Sequence, residues 1–312
     1  MVTRSLPPAL PQVALIAGPT ASGKSALGLA LASATGGVII NADSAQIYAD
    51  LPILSAAPSR ADRAAADHRL YGARDGATPC SAADWARLAV AEIDAVHATG
   101  RLPILVGGTG LYLTTLLDGI APVPAIDPAV RATIRAASVA ENYAALTPLD
   151  PCAAARLNPG DTTRIARALE VVRSTSRTLG QWQEQRSGGI ADRIALRPLI
   201  LLPPRDWLVE RCDRRFAAMV DAGALDEVAA LLDRRLDPDL PVMRAIGVPH
   251  LGAYLRGESS RDFALAAGQL ATRRYAKRQY TWFGNQPPPD WPRYREAVGD
   301  PAPALALLGA TG

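Results

Sequence analysis

The sequence predicts an α/β chain: a doubly wound parallel sheet with an inserted helical domain and a helical C-terminal region. Three observations carry this reading. Four short, nearly continuous apolar runs read as strands covered on both faces. A glycine-rich loop joins the first run to an Ala/Leu-rich helix. Between about residues 119 and 192 the pattern turns helical, after which a strand resumes.

The first strand is Val13-Ala14-Leu15-Ile16-Ala17, followed by Gly18-Pro19-Thr20-Ala21-Ser22-Gly23-Lys24-Ser25. This octapeptide fits G-x-x-x-x-G-K-[ST] in full, and its strand–loop–helix setting gives the match a mechanism. Backbone N–H groups at the loop and helix start point at an anion, and the helix dipole adds to their field. Lys24 neutralises an outer phosphate, and the Ser25 hydroxyl suits Mg²⁺. The expected core is therefore P-loop NTPase-like, with a di- or triphosphate site of undetermined ligand.

A second strand, Gly37-Val38-Ile39-Ile40-Asn41, runs into Asn41-Ala42-Asp43-Ser44-Ala45-Gln46-Ile47-Tyr48. Ligands of an open parallel sheet bind outside the carboxyl ends of its strands, which puts Asp43 beside the P-loop. There a carboxylate holds Mg²⁺ or accepts a proton; the plainer alternative is a helix N-cap. Ala82 to Ala98 reads as a helix with Trp85, Leu88, Ala89 and Val96 on one face and Gly100 beyond its end. The third strand, 102–106, ends in Gly107-Gly108-Thr109-Gly110-Leu111-Tyr112. Glycines permit close backbone approach there, and Thr109 offers a donor and an acceptor.

Pro122, Pro124 and Pro128 then mark a loop, with Asp127-Pro128 as an N-cap and first-turn pair. The helical stretch to about Gly189, punctuated by Pro148, Pro151 and Pro159, forms an expected insertion of residues 119–192. Residues 1–118 and 193–312 form the core. The fourth strand spans 196–202, and the last third is mainly helical, closed by Pro287-Pro288-Pro289. On one of those helices Leu208, Cys212, Arg215 and Met219 share a stripe. A guanidinium among core residues either snorkels outward or faces an anion. On another, Arg274, Lys277, Arg278 and Thr281 share a basic face while Tyr275 and Trp282 line a second, a pairing that suits a nucleic-acid backbone or a solvated surface. Arg164 and Arg167 flank the apolar stripe of Ile165, Leu169 and Val172.

Composition narrows the class. A net charge of +3 over 312 residues does not announce a nucleic-acid binder, and 31 of the 33 basic residues are arginine, leaving Lys24 and Lys277. Cys80, Cys152 and Cys212 are isolated, which excludes a disulfide framework or zinc ribbon. The amino terminus shows no export signal and no apolar run approaches a membrane span, so a cytoplasmic location without membrane association is expected. No coiled coil or obligate protein partner is legible, and a monomer is the expectation.

The ordered motifs GPTASGKS (18–25), NADSAQIY (41–48), GGTGLYL (107–113), TRIARALEV (163–171), RRFAAMVDAGALDEV (214–228), RAIG (244–247) and TRRYAKRQYTWF (272–283) resemble the bacterial tRNA dimethylallyltransferases, or tRNA isopentenyltransferases, of the IPP transferase family. The resemblance covers nearly the whole chain, and DSxQIY with GGTGLY and AKRQxTWF is its most specific part. It implies that the P-loop holds the diphosphate of dimethylallyl diphosphate, with Mg²⁺ on Ser25 and Asp43. It implies transfer of the dimethylallyl group to N6 of adenosine-37, just 3′ of the anticodon in a tRNA anticodon stem-loop. Asp43 matches the general base, and Thr109 and Arg215 match residues that stabilise the diphosphate leaving group. Contacts to tRNA fall by the same resemblance on Asp43, Ser44, Ala45, Gln46, Thr109, Arg131, Thr163, Arg164, Ile165, Ala166, Arg167, Arg244, Lys277, Arg278, Gln279 and Trp282, with the insertion gripping the anticodon arm. The chain departs from the family wording at Val248-Pro249-His250, at Gly284, and between Leu51 and Gly72. A prenyl transferase for a free adenine nucleotide and a small-molecule kinase are the alternatives a P-loop leaves open.

Overall fold

The computed structural model describes residues 10–309. The amino-terminal stretch, where the sequence reading finds no export signal, lies outside the described residues. Leu117–Ile190 forms one compact unit, and the chain before and after it forms another.

The larger unit is built on six strands: β1 (Gln12–Ala17), β2 (Val38–Asn41), β3 (His68–Arg69), β4 (Pro103–Gly107), β5 (Ala195–Leu201) and β6 (Arg293–Tyr294). Their order is β3-β2-β4-β1-β5-β6, and every neighbouring pair is parallel. β1 is buried from Val13 to Ala17 because its apolar run is covered on both faces. The chain leaves β1 toward β2 and β4 on one side, and β5 pairs on the other, which opens a crevice beyond the β1 carboxyl end. All four expected strands form within a residue or two of their expected bounds. The two edge strands went unread because each is two residues long and carries a charged or ring-polar side chain instead of an apolar run.

Helix α1 (Lys24–Thr35) buries Leu27, Leu31 and Ala32 against the sheet and stops at Gly36, whose φ of 65° is the left-handed conformation glycine adopts freely. A buried leucine of this kind contributes about 1.5–3 kcal/mol. Helix α2 (Arg60–Ala65) is short and closed by a Ser59–Asp62 capping box. Helix α3 (Ala82–Ala98) has the expected bounds and starts from a second capping box, Ser81–Asp84. Its Trp85 is fully buried, stacks on Tyr112 at 4.6 Å and donates Nε1–H to the Asn41 carbonyl at 2.8 Å. Helix α4 (Gly110–Asp118) follows β4 directly.

The Leu117–Ile190 unit holds α5 (Pro128–Ala136), α6 (Val139–Leu149), α7 (Pro151–Arg156), α8 (Thr162–Thr175) and α9 (Leu179–Gln183). Its core joins Ile134, Leu146, Ile165, Leu169 and Val172. Asp127 caps α5 by accepting from Ala129 N and Val130 N, with Pro128 in the first turn.

After β5 the larger unit continues with α10 (Arg205–Met219), α11 (Leu225–Asp233), α12 (Val248–Leu255), the long α13 (Arg261–Asn285) and α14 (Ala302–Ala306). α13 lies against α10, where a Cβ on Gly268 would come within 2.1 Å of the Phe216 ring. No described helix is long and apolar enough to cross a membrane.

Candidate active site

The P-loop leaves β1 at Ala17 and enters α1 through Gly23, whose φ of 99° is open to glycine. No side chain caps that helix start, so its N–H groups are free to meet an anion. Ala21 is held at φ 63°, a strained conformation for a residue with a Cβ, by packing on Leu208, Cys212 and Ala276. The Ser22 hydroxyl in the same loop is fully buried without a hydrogen-bond partner. Lys24 is nearly buried and donates from Nζ to the Pro19 carbonyl at 2.6 Å. Burial pushes its ammonium down to about 8; the Asp43 charge pulls it back up and Arg215 pushes it down further.

Asp43 is presented by a turn, not by a helix start, which removes the N-cap alternative. Asn41, fully buried, accepts from Asp43 N at 2.8 Å and donates to the Asp43 and Leu70 carbonyls at 3.0 Å each. The Asp43 carboxylate accepts from Ala45 N at 3.0 Å through Oδ1. Thr109 closes the turn from the other side: its Oγ1 accepts from Ser44 N at 3.0 Å and donates to Ser44 Oγ at 3.2 Å. Such proximity needs Gly107, since a Cβ there would lie 2.1 Å from the Ala42 carbonyl oxygen. The GGTG element and the NADS element are thus two walls of one site.

Arg215 settles the choice between snorkelling and an inward role. Its guanidinium donates to the Thr20 hydroxyl in the P-loop, and burial lowers its affinity for the proton. Gln279 ties the same loop to the residue that follows β4. It accepts from Thr20 N at 2.7 Å through Oε1 and donates from Nε2 to the Gly108 carbonyl at 2.7 Å.

Next to these groups lies a cavity of about 320 Å³. Thr20, Asp43 and Arg215 supply polar lining; Leu51, Leu54, Phe216, Met219, Val242 and Ile246 supply apolar lining. The segment carrying Leu51 and Leu54 is pinned by Glu227 on α11, whose carboxylate accepts from Ile53 N at 2.6 Å and Leu54 N at 2.9 Å. Burial raises the Glu227 carboxyl above its usual range, and the two N–H donors oppose that. Gln46 adds a second tie, donating to the Ser55 and Ala56 carbonyls at 3.0 and 2.7 Å.

The structure brings the P-loop, Asp43, Thr109, Arg215, Ser44 and Ala45 together, with Arg244 and Arg278 also lining the cavity. Lys277 is exposed, and Trp282 packs on Gly110, where a Cβ would meet its ring at 2.5 Å. In the helical unit Arg131, Thr163 and Arg164 are exposed and Arg167 is half-buried. Three residues assigned to tRNA by resemblance present no side chain outward. Gln279 is 6% exposed with its amide committed to backbone, and Ile165 and Ala166 lie in the helical core. The reason is periodicity: Gly268, Thr272, Ala276, Gln279 and Phe283 form the buried stripe of α13, and Ile165, Leu169 and Val172 that of α8. Sequence reading passed over Asn41 and Glu227 as positioning groups. A buried-strand asparagine directly before an Asp was the available signal for the first; nothing local marks the second.

Ser25 and Asp43 are hard oxygen donors, and no group of three or more His, Cys, Asp or Glu gathers as a metal cage among the described residues. That donor set fits Mg²⁺ carried in with phosphate oxygens, because Mg²⁺ is commonly held by one or two protein oxygens plus substrate phosphates.

The family model for IPP transferase matches residues 46–286. This chain belongs to the IPP transferase family. Curated tRNA dimethylallyltransferases of Sphingopyxis alaskensis and Erythrobacter litoralis are 64% and 62% identical to it, over 92% and 91% of this chain and 94% and 91% of theirs. The crystal structure of the full-length tRNA isopentenylpyrophosphate transferase from Bacillus halodurans is similar with a TM-score of 0.69 at 30% identity, covering 96% of this chain and 94% of that one. A eukaryotic dimethylallyltransferase acting on tRNA gives a TM-score of 0.75 at 26% identity, over 87% of this chain and 69% of that chain. Membership in the IPP transferase family agrees with the resemblance read from the motifs, and the similarity to the Bacillus halodurans structure extends over 96% of this chain.

Proposed function

We propose that this chain is a tRNA dimethylallyltransferase: it transfers the dimethylallyl group of dimethylallyl diphosphate to N6 of adenosine-37, next to the tRNA anticodon, and releases diphosphate. The observation that carries the reading is the pairing of an anion cradle (the P-loop with Lys24 and Arg215) with an apolar-lined cavity of about 320 Å³ that Asp43 also lines. A prenyl diphosphate has one charged and one greasy end, and this site offers both.

In the reaction the allylic C1–O bond of the donor breaks and an N6–C1 bond forms. An exocyclic adenine amine is a weak nucleophile because its lone pair is delocalised into the ring. Asp43 is assigned to orient the amine and accept its proton as the bond forms. The departing diphosphate carries the electron pair of the broken bond, and the P-loop N–H groups, Lys24 and Arg215 stabilise it. Thr109 holds the turn that aims Asp43. Ser25 and Asp43 would hold Mg²⁺, which would supply further neutralisation of the diphosphate. The target adenosine leaves its stack to reach Asp43, as in other enzymes that act on a base. Residues 119–192 are assigned the grip on the anticodon arm, with Arg131, Thr163, Arg164 and Arg167 as contacts, and Arg244, Lys277 and Arg278 serve the target loop.

The test is product mass. Protein, Mg²⁺ and dimethylallyl diphosphate are mixed with unmodified anticodon stem-loop RNA or with AMP. The reading predicts a prenyl mass gain on the RNA alone, lost when the target adenosine is replaced. Gain on AMP alone overturns it in favour of nucleotide prenylation.

A further inference from the structure

We propose that α5 and α8 carry a built phosphate-gripping cluster in which Arg135 is a further RNA contact and Glu170 is its positioning residue. Glu170 is fully buried in the helical unit, an unusual place for a carboxylate unless cations gather on it. They do. Arg135 Nε stands 2.6 Å from Glu170 Oε1, and Arg131 Nε stands 4.0 Å from Oε2, an oxygen that has no hydrogen-bond partner. Arg167, one turn before Glu170 on α8, is half-buried; burial lowers its affinity for the proton, Glu170 restores it, and Arg131 and Arg135 oppose it. Arg135 thus pairs with one buried carboxylate that Arg131 also faces and that acts on Arg167 through its charge, leaving about two positive charges in excess.

The orientation of the arginines matters as much as their number. Both Arg131 and Arg135 turn Nε toward Glu170, while their side chains stay 56% and 52% exposed. A guanidinium held by Nε keeps its two terminal nitrogens available, and that fork matches the oxygens of a phosphate. Holding one end in advance also reduces the side-chain freedom lost when an anion arrives. A solvated surface arginine needs no buried carboxylate behind it; this arrangement reads as pre-organisation for a fixed polyanion. The inference rests on the RNA-modifying reading above and adds Arg135 and Glu170 to it.

The experiment measures anticodon stem-loop binding against salt, and steady-state transfer, for the wild type and for Arg135→Ala, Arg135→Lys and Glu170→Gln. Arg135→Ala is expected to raise the KM for RNA about five- to tenfold and to reduce the log–log salt slope by about 0.7–0.9. The KM for dimethylallyl diphosphate and kcat at saturating RNA stay at wild-type values. Arg135→Lys, which keeps the charge but loses the fork, restores the slope and only part of the affinity. Glu170→Gln keeps every arginine, so the slope is retained while the KM for RNA rises severalfold. Wild-type slope and KM in Arg135→Ala overturn the cluster, even if the variant melts at a lower temperature, because the pair is then structural only. A wild type that leaves RNA unmodified, yet whose RNA binding depends on Arg135, overturns the transfer reading and keeps the cluster.

Discussion

The phosphate cradle of the larger unit and the arginine face of the helical unit both concentrate positive charge, but they hold it in opposite ways. In the cradle, Lys24 is 9% exposed and Arg215 reaches inward to Thr20, so both are bound by short ties to the P-loop itself. On the helical unit, Arg131 and Arg135 remain more than half exposed; Arg135 is tied only through Nε, and Arg131 Nε stands 4.0 Å from the same carboxylate. Desolvated cations act strongly on charge that develops in a reaction, because the local dielectric is low. Exposed cations act more weakly, fall off with salt, and suit the holding of a long polyanion. On the proposed function, this difference fits one unit for chemistry and the other for grip.

The sharpest way to break this contrast is Lys24→Ala. Removing a buried cation from the cradle is expected to lower kcat/KM for dimethylallyl diphosphate by about 10²–10³, the cost of losing one stabilising donor at developing charge. The effect is to persist at high salt; a loss that vanished there would make Lys24 an ordinary surface charge.

A second test uses pH. Burial pushes the ligand-free Lys24 ammonium down to about 8, and a bound diphosphate is expected to raise it. Below pH 8 the ammonium is charged in both states, and no linkage arises. Above it, binding must take up a proton, so diphosphate affinity is expected to fall by up to tenfold per pH unit. Lys24→Ala should flatten that limb of the profile, as direct binding titrations would show. An unchanged limb would assign the pH dependence elsewhere.

Gln279→Leu comes next. It strips partners from Thr20 N and the Gly108 carbonyl inside a buried joint, at a cost of about 1–3 kcal/mol for each group left unsatisfied. Chemical denaturation should register that loss, while RNA affinity at saturating donor stays near wild type. A selective loss of RNA affinity with full stability would return Gln279 to the RNA contacts.

The smallest expected effect is that of Glu227→Gln. The amide keeps one acceptor for Ile53 N and Leu54 N, so the pinned segment loosens without collapsing. The KM for dimethylallyl diphosphate should rise by a few-fold with the RNA KM unchanged, measured by varying each substrate in turn.

Much of this was legible in the chain. The four core strands announced themselves because their apolar runs have no polar face to hide, and α3 because Trp85, Leu88, Ala89 and Val96 share one face and Gly100 follows its end. GPTASGKS carried its own mechanism. Less visible was anything set by tertiary contact. β3 and β6 exist because β2 and β5 offer them an edge. Gln279 sits in a run of basic residues, and only the buried stripe through Ala276 and Phe283 betrays its inward turn. Glu227 acts on residues 173 and 174 positions away, a separation no local pattern encodes.

The central claim is that Asp43 takes the proton of the attacking amine while the cradle around it holds the diphosphate. Single-turnover transfer to anticodon stem-loop RNA by Asp43→Ala, with dimethylallyl diphosphate binding measured on the same preparation, tests it most directly. The account predicts donor binding weakened at most severalfold, by the loss of one Mg²⁺ oxygen, and a chemical step slowed by about 10²–10⁴. A wild-type single-turnover rate in that variant would contradict it.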